Sequence, residues 1–234
     1  EAFFLGERLQ RPVPRLYRPL LPAKAVERVA GVVQDHREAG RQLALFQIGP
    51  VGQRVEHAFE LLARAAELGG LSMMIKLDAE SRGYFAQRAM AAGIQNLLFA
   101  DVRTAEDARE AVAAVRPEPE WDNGVRSDRR NGYVGGYGSP SDVAQWCDDA
   151  VIAIMVEKEE TVENLEEILA IGEIDMVQFG PADYSLSIGK PGAYDDPEVV
   201  GAERETIETA LDMGVAPRAE INHPGEAEEY LEMG

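Results

Sequence analysis

The chain contains a single cysteine and no long apolar run, and each shortage excludes a class of protein. One cysteine, Cys147, cannot form an internal disulfide or a cysteine-rich zinc site. No stretch approaches the roughly 18–20 uninterrupted apolar residues of a membrane-spanning helix. No leader with basic, apolar and small residues in that order is present. We therefore expect a soluble, cytoplasmic protein without a membrane partner, in which Cys147 is a half-buried residue beside Trp146.

Basic residues are also scarce. The chain of 234 residues has 23 lysines and arginines against 42 aspartates and glutamates, which gives a formal net charge of −19. Such a surface repels phosphate groups, so the composition argues against a nucleic-acid partner. It would also slow an anionic substrate, and a site for one therefore needs a local positive centre. A bound metal ion would supply that centre.

What the sequence does contain is a regular alternation of short apolar runs with amphipathic segments. Nearly continuous apolar runs of this length are typical of parallel strands buried on both faces. The predicted strands are 43–48, 71–75, 95–99, 151–156, 176–179 and 216–221. The predicted helices are 23–38, 55–68, 84–92, 104–115, 141–148, 161–171, 197–213 and 225–233. Thr104, followed three residues later by Asp107, is a plausible capping pair for the fourth helix.

About six strand–helix units in succession favour an α/β fold of the (β/α)8 TIM-barrel type over an open doubly wound sheet. No G-x-G-x-x-G fingerprint follows any strand, which weakens a dinucleotide-binding interpretation further. We expect one domain over residues 1–234, with 1–21 as an N-terminal arm. The pattern lacks one strand between Leu68 and Leu71, and it lacks the last βα unit of a complete barrel.

Two acidic residues follow neighbouring apolar strands and are 26 positions apart. Glu157 comes directly after 151–156, and Asp183 lies in the segment Gly-Pro-Ala-Asp that follows 176–179. A strand–helix–strand step of this length places both carboxylates at the C-terminal edge of a parallel sheet, where α/β folds keep their active sites. Two converging carboxylates suit a hard divalent cation that keeps open positions for substrate.

The segments 156–165 and 174–185 together resemble the metal-dependent class II pyruvate aldolases, in particular the 4-hydroxy-2-oxoheptanedioate aldolases. Residues 92–98, 104–112 and 230–234 extend the resemblance, which covers about 71–234. It implies a phosphoenolpyruvate/pyruvate-type barrel and a homohexamer built as a trimer of dimers. It also implies Mg²⁺, Mn²⁺ or Co²⁺ held by Glu157 and Asp183. The substrates implied are a small 2-oxo acid and an aldehyde.

The resemblance assigns further roles. The cation would chelate pyruvate and stabilise its enolate, while the backbone N–H groups of Ala182 and Asp183 would bind the pyruvate carboxylate. Lys76 stands where the family has an arginine that polarises the keto oxygen, so a point charge replaces a bidentate fork. His57 is the one local match to the family's catalytic histidine. The aspartate that steadies that histidine in the family corresponds to Ala91 here.

Three functions fit these residues. The first is a divalent-metal-dependent aldolase, a carbon–carbon lyase that cleaves or forms 4-hydroxy-2-oxo acids. The second keeps the metal–enolate site for other chemistry, as in malyl-CoA or citryl-CoA lyases and in enzymes that decarboxylate oxaloacetate. The third is a barrel that binds metal without catalysis. A partly exposed position on a helix is the simpler interpretation of His57, whereas His223 is compatible with either the site or a loop.

Overall fold

The computed structural model describes residues 45–47, 54–117, 140–221 and 223–234, with the backbone alone described for 45–47, 54–57 and residue 140. Within these ranges the chain forms one parallel sheet whose strands follow each other in sequence order. The strands are β1 Leu45–Gln47, β2 Met74–Leu77, β3 Asn96–Phe99, β4 Val151–Val156, β5 Met176–Phe179 and β6 Ala216–Arg218.

Helices connect successive strands of the sheet, and one more helix follows the last described strand. They are α1 Arg54–Gly69, α2 Arg82–Ala92, α3 Ala105–Ala113, α4 Pro140–Asp148, α5 Glu159–Glu163, α6 Leu165–Leu169, α7 Pro181–Ser187, α8 Pro197–Asp212 and α9 Ala227–Met233. The predicted cap of α3 is confirmed, because Thr104 and Asp107 form a reciprocal capping box. None of the helices in the described ranges has the length and apolar character that crossing a bilayer requires.

The sequential strand order distinguishes two α/β architectures. A doubly wound sheet reverses its strand order at a switch point, whereas a (β/α) barrel places each new strand beside the one before it. The order β1 to β6 therefore agrees with a barrel-like fold. The predicted gap before β2 was wrong: β1 pairs directly with β2, and α1 is the helix of that crossover.

The two faces of the sheet are packed differently. One face lies against the helices, as shown by Ile75 and Ile154, which share a buried cluster with Phe59 and Ala108. Within the described residues, the cluster on the other face consists of strand residues alone. Its members are Met74, Leu98, Val151, Ala153, Met155 and Met176. Because side chains alternate along a strand, Lys76 and Glu157 continue this second face at its C-terminal edge.

Several predicted details were wrong. The helix predicted over 161–171 is two helices, α5 and α6, because Asn164 between them leaves helical geometry at φ −99° and ψ 7°. Its side chain donates instead to the carbonyl of Arg103. Residues 71–73 precede β2 rather than form part of it, so Lys76 lies inside the strand. Cys147 is fully buried, and its thiol donates to the carbonyl of Val143.

A buried arginine ties together the N-terminal ends of β4 and β5. The guanidinium of Arg116 donates to the carboxylates of Glu173 and Asp175 at 2.8 and 3.0 Å. It also donates to the carbonyls of Cys147 and Ala150 at 3.1 and 2.8 Å. Asp175 accepts a further bond from the backbone of β4 at 2.9 Å. A guanidinium has five N–H donors, and this environment pairs most of them within the fold.

Candidate active site

Glu157 is the centre of the site. Its carboxylate follows β4 and is almost fully enclosed, with the residue 3% exposed. Each of its oxygens accepts one hydrogen bond: Oε2 from the ammonium of Lys76 at 3.2 Å, and Oε1 from the backbone N–H of Asp101 at 2.8 Å. A buried charge is tolerated when it is paired and hydrogen-bonded. The strand ends of β2, β3 and β4 therefore converge on one carboxylate.

Gly180 explains how this carboxylate fits against the next strand. A Cβ atom at position 180 would lie 2.8 Å from Met155 Cε and 3.0 Å from Glu157 Cβ. It would also lie 3.4 Å from Glu157 Oε2. A side chain at position 180 would therefore crowd Met155 and Glu157 where β5 ends. The glycine of the Gly-Pro-Ala-Asp segment is therefore part of the site, because it makes room for the buried acid.

Asp183 lies in the first turn of α7, three residues after Gly180. Its side chain is 49% exposed, and its nearest cation is the ammonium of Lys158 at 4.0 Å. The two predicted ligands therefore occupy unlike surroundings: Glu157 is buried with one hydrogen bond to each oxygen, and Asp183 is open to solvent. Ala182 and Asp183 contribute first-turn N–H groups, which have no acceptor within an α-helix. Ala182 is exposed, so that end of the helix is accessible.

Asp101 was missed by the sequence prediction. It follows β3 and has a φ of 52°, the left-handed region that few residues other than glycine adopt. Besides its bond to Glu157, its carbonyl accepts from Arg82 at 3.2 Å and its carboxylate accepts from Arg103 at 2.9 Å. The hydrogen bond that Arg103 donates to the Asp101 carboxylate raises the pKa of Arg103. The signal was present: an acidic residue closely follows an apolar strand, as Glu157 does.

A second polar group lies at the same edge, on β5 and β6. Gln178 is 1% exposed, accepts a hydrogen bond from Arg218 and donates one to Glu220. Burial lowers the pKa of Arg218, with Glu220 acting in the opposite direction. Gln178 lies on the same face of the sheet as Met176 and is in register with Arg218. Arg218 therefore adds a cation near this edge of the sheet. Sequence reasoning did not select it.

The histidine predictions have different outcomes. His57 lies on α1, as predicted, but its side chain falls outside the described part of the structure. His223 is exposed, and its Nε2 lies 3.1 Å from Glu226 Oε1, which agrees with the loop alternative. Ala91 is buried in α2 and has no carboxylate to offer a histidine.

A cavity of about 290 Å³ borders Lys76, Phe59 and Phe85, and neither Glu157 nor Asp183 lines it.

The residues can be tested for their fit to a divalent cation. Within the described ranges, no group of three or more His, Cys, Asp or Glu side chains is arranged to hold a metal. Mg²⁺, however, is commonly held by one or two carboxylates, with water and substrate completing its shell. Glu157 and Asp183 supply two hard oxygen donors of this kind. The Lys76 ammonium beside Glu157 Oε2 shows that this oxygen attracts a cation. The donor set fits.

Comparison with known proteins identifies relatives of this chain. The sequence profile of the HpcH/HpaI aldolase/citrate lyase family matches residues 51–229. The 4-hydroxy-2-oxo-heptane-1,7-dioate aldolase of Escherichia coli is 34% identical over 147 residues, which are 61% of this chain and 54% of that protein. The Klebsiella pneumoniae enzyme of that name is also 34% identical, over 61% of this chain and 53% of its own. The chain thus spans about half the length of these relatives.

Solved structures show the same fold. A HpcH/HpaI aldolase/citrate lyase family protein from Burkholderia cenocepacia superposes with a TM-score of 0.72 at 23% identity, covering 92% of this chain and 82% of that one. Macrophomate synthase gives a TM-score of 0.72 at 17% identity, covering 100% and 89%. The citrate synthase SbnG gives 0.73 at 16% identity, covering 88% and 78%. These likenesses support a TIM-barrel-like α/β fold.

The profile matches most of the chain, and the site contains the acidic pair that follows β4 and β5. The chain therefore belongs to the HpcH/HpaI aldolase/citrate lyase family. The resemblance first drawn from the segments around Glu157 and Asp183 is confirmed at the level of the family. This is a family of enzymes named for aldolases and for citrate lyases.

Proposed function

We propose that the protein is a divalent-metal-dependent aldolase that cleaves or forms the C3–C4 bond of 4-hydroxy-2-oxo acids, with pyruvate and an aldehyde as the products of cleavage. The observation that carries this proposal is the buried Glu157 carboxylate. It lies at the C-terminal edge of the sheet, against Gly180 and next to Lys76, in a chain of the aldolase/citrate lyase family. A buried acid whose charged partner is a single lysine is costly to maintain without a function.

Glu157 and Asp183 would hold the cation, which we expect to be Mg²⁺, Mn²⁺ or Co²⁺, since carboxylate and water ligands suit all three. When bound, such an ion withdraws electron density from a keto oxygen and neutralises the charge of an enolate. Glu157 is fixed by two hydrogen bonds, whereas Asp183 is free to adapt from the first turn of α7. One rigid and one adaptable ligand suit a site that must admit substrate.

Lys76 and the first turn of α7 would orient the substrate. The ammonium of Lys76, on β2, lies beside Glu157 at the C-terminal edge of the sheet. There it can donate to the C2 keto oxygen of the substrate. The N–H groups of Ala182 and Asp183 would bind the C1 carboxylate. Fixing the carboxylate and the keto group would orient the substrate for cleavage between C3 and C4. This arrangement supplies the local positive centre that a chain with a net charge of −19 requires for an anionic substrate.

Cleavage needs one proton to leave and one to arrive. A base removes the proton of the C4 hydroxyl, the C3–C4 electron pair moves into the enolate, and the C4 carbonyl departs as an aldehyde. Protonation of the enolate at C3 then gives pyruvate. We propose His57 for this proton transfer, from its match to the family's histidine. It lies on α1, the helix that connects β1 to β2, the strand of Lys76.

A second candidate function uses the same site for a different carbon–carbon bond. The family description includes citrate lyases, and SbnG is a citrate synthase of the same fold. The replacement of the family's arginine by Lys76 favours considering this possibility, since the two cations hold a keto oxygen differently. In either case we propose a homo-oligomer, a hexamer by resemblance, which size-exclusion chromatography with light scattering would measure.

Product release from a panel of substrates tests the proposal. Pyruvate is measured from 4-hydroxy-2-oxo acids and from oxaloacetate, and acetyl-CoA is measured from malyl-CoA and citryl-CoA. Each substrate is assayed with chelator and with Mg²⁺, Mn²⁺ or Co²⁺. We expect metal-dependent pyruvate release from the 4-hydroxy-2-oxo acids and its loss with chelator. Turnover confined to the thioesters or to oxaloacetate would establish the second function instead. No metal-dependent turnover, and no exchange of the C3 protons of pyruvate, would favour the non-catalytic barrel.

A further inference from the structure

We propose that Lys76 and the divalent cation compete for the Glu157 carboxylate, so that loading the site moves the Lys76 ammonium from Glu157 to the substrate. This inference rests on the proposed function, because it takes Glu157 as a ligand of the cation. It concerns a residue that differs from the family's arginine. It also predicts opposite effects of Lys76 on cation binding and on catalysis.

The hydrogen bonds of Glu157 identify which oxygen can be vacated. Oε1 is held by the backbone N–H of Asp101, which cannot leave without moving the end of β3. Oε2 is held by the ammonium of Lys76 at 3.2 Å, at the end of a flexible side chain. Oε2 is therefore the oxygen of Glu157 that a cation can take with the smaller change in the fold. A cation that takes Oε2 displaces Lys76 from its partner.

Electrostatics act in the same direction. The Lys76 and Glu157 side chains are 13% and 4% exposed, so little water screens the charges around them. A dication on Oε2 would repel an ammonium a few ångströms away. Lysine is a compact point charge on a flexible stem, whereas an arginine fork is held by paired bonds. The Lys76 side chain can therefore rotate away from Glu157 and place its ammonium beside the substrate.

This exchange gives Lys76 a role in each state. Without the cation it pairs with Glu157, because a buried carboxylate without a partner is strongly destabilising. With the cation it is free to donate to the keto oxygen of the substrate. The protein therefore exposes a catalytic ammonium only when the metal that the reaction needs is in place.

Binding of Mn²⁺ alone, measured by electron paramagnetic resonance, tests the competition in four proteins: the wild type, Lys76→Met, Glu157→Gln and Lys190→Met. Lys190→Met removes the same charge at a remote ion pair with Asp196 and Glu198. We expect Lys76→Met to bind Mn²⁺ about tenfold or more tightly than the wild type, as strong coupling between close charges implies. Lys190→Met should match the wild type, and Glu157→Gln should bind much more weakly.

The outcomes separate this inference from the proposed function. Weak binding by Glu157→Gln with equal or weaker binding by Lys76→Met would overturn the competition and leave the metal site intact. Equal binding by Glu157→Gln and the wild type would overturn both, since Glu157 would then not be a ligand. Acetylation of the wild-type protein gives a test that needs no variant. Mass spectrometry should show faster modification of Lys76, but not of Lys190, when Mg²⁺ is added, and an unchanged rate at Lys76 in the Mg²⁺-bound protein would contradict the exchange.

Discussion

The backbone N–H of Asp101 donates to Glu157 Oε1 at 2.8 Å from a residue whose φ is 52°. The left-handed conformation thus coincides with the hydrogen bond that fixes the principal acid of the site. Left-handed backbone is unfavourable for residues with a Cβ, and it concentrates at functional sites. The end of β3 therefore positions Glu157 through its main chain, in addition to the pairing with Lys76 through a side chain.

Substitutions at Asp101 distinguish the main chain from the carboxylate. Asp101→Gly keeps the left-handed conformation and the N–H, and we expect its Mn²⁺ affinity to remain near that of the wild type. Asp101→Val strongly disfavours that conformation, so affinity should fall by about 10–100-fold, as for other groups that orient a metal ligand. Titration of both variants with Mn²⁺ measures the difference. An equal loss in Asp101→Gly would show that the carboxylate, not the backbone, is what matters.

The close approach of Gly180 to Glu157 makes a second prediction. In Gly180→Ala the new methyl group would meet Met155 Cε at 2.8 Å and Glu157 Cβ at 3.0 Å, so the Met155 methyl must move and Glu157 is pushed slightly. A displacement of about 1 Å can cost roughly 100-fold in rate, so this smaller shift should lower kcat/KM by roughly several-fold. Gly201→Ala is the matched control, because its Cβ meets nothing within 4 Å and its helix should be stabilised. Similar activity in the two variants would contradict the packing argument.

The Arg116 network predicts a large effect on stability far from the catalytic edge. Arg116→Met removes the guanidinium from the Glu173 and Asp175 carboxylates and from two buried carbonyls. Breaking a buried charge network typically costs about 3–5 kcal/mol, and we expect a loss near the lower figure because both carboxylates reach solvent. Denaturation in urea gives the value. Arg109→Ala removes an exposed pair with Glu106 and should change stability by less than about 0.5 kcal/mol.

Tyr230 predicts a dependence of stability on alkaline pH. Burial, together with the charge of Glu203 that accepts its hydrogen bond, raises the pKa of Tyr230 to about 12. A group with a raised pKa stabilises the fold fully below its ordinary pKa of 10.0, and that contribution disappears as the pH approaches 12. The wild type should therefore exceed Tyr230→Phe in stability at pH 8, and the gap should close between pH 10 and 12. Urea denaturation at several pH values measures it, and a gap that is constant over this range would refute the assignment.

Much of the fold was predictable because local signals agreed with it. The apolar run 151–156 matches β4, and the Thr104–Asp107 cap begins α3 where predicted. The break at Asn164 was not predictable, because the hydrogen bond of its side chain to Arg103 joins residues 61 positions apart. Whether β1 and β2 are neighbours likewise depends on pairing across the sheet, which apolar periodicity does not specify.

The candidate site was likewise predictable only in part. Glu157 and Asp183 were identifiable because each follows an apolar strand, and the position of Gly180 beside Glu157 gives a physical reason for that segment. The contact between Lys76 and Glu157 spans 81 positions and could be inferred only from the resemblance. Asp101 escaped notice because its contribution is a backbone N–H in an unusual conformation. Residue type alone does not reveal such a donor.

Pyruvate release by Asp183→Ala tests the central claim most directly. The claim is that Glu157 and Asp183 hold a cation required for cleavage of 4-hydroxy-2-oxo acids. With saturating Mn²⁺, Asp183→Ala should lose metal-dependent pyruvate release while its thermal unfolding stays close to that of the wild type, because the Asp183 side chain is half exposed. Asp195→Ala, at an exposed aspartate of the following loop, should keep full activity. Unchanged turnover by Asp183→Ala would contradict the account.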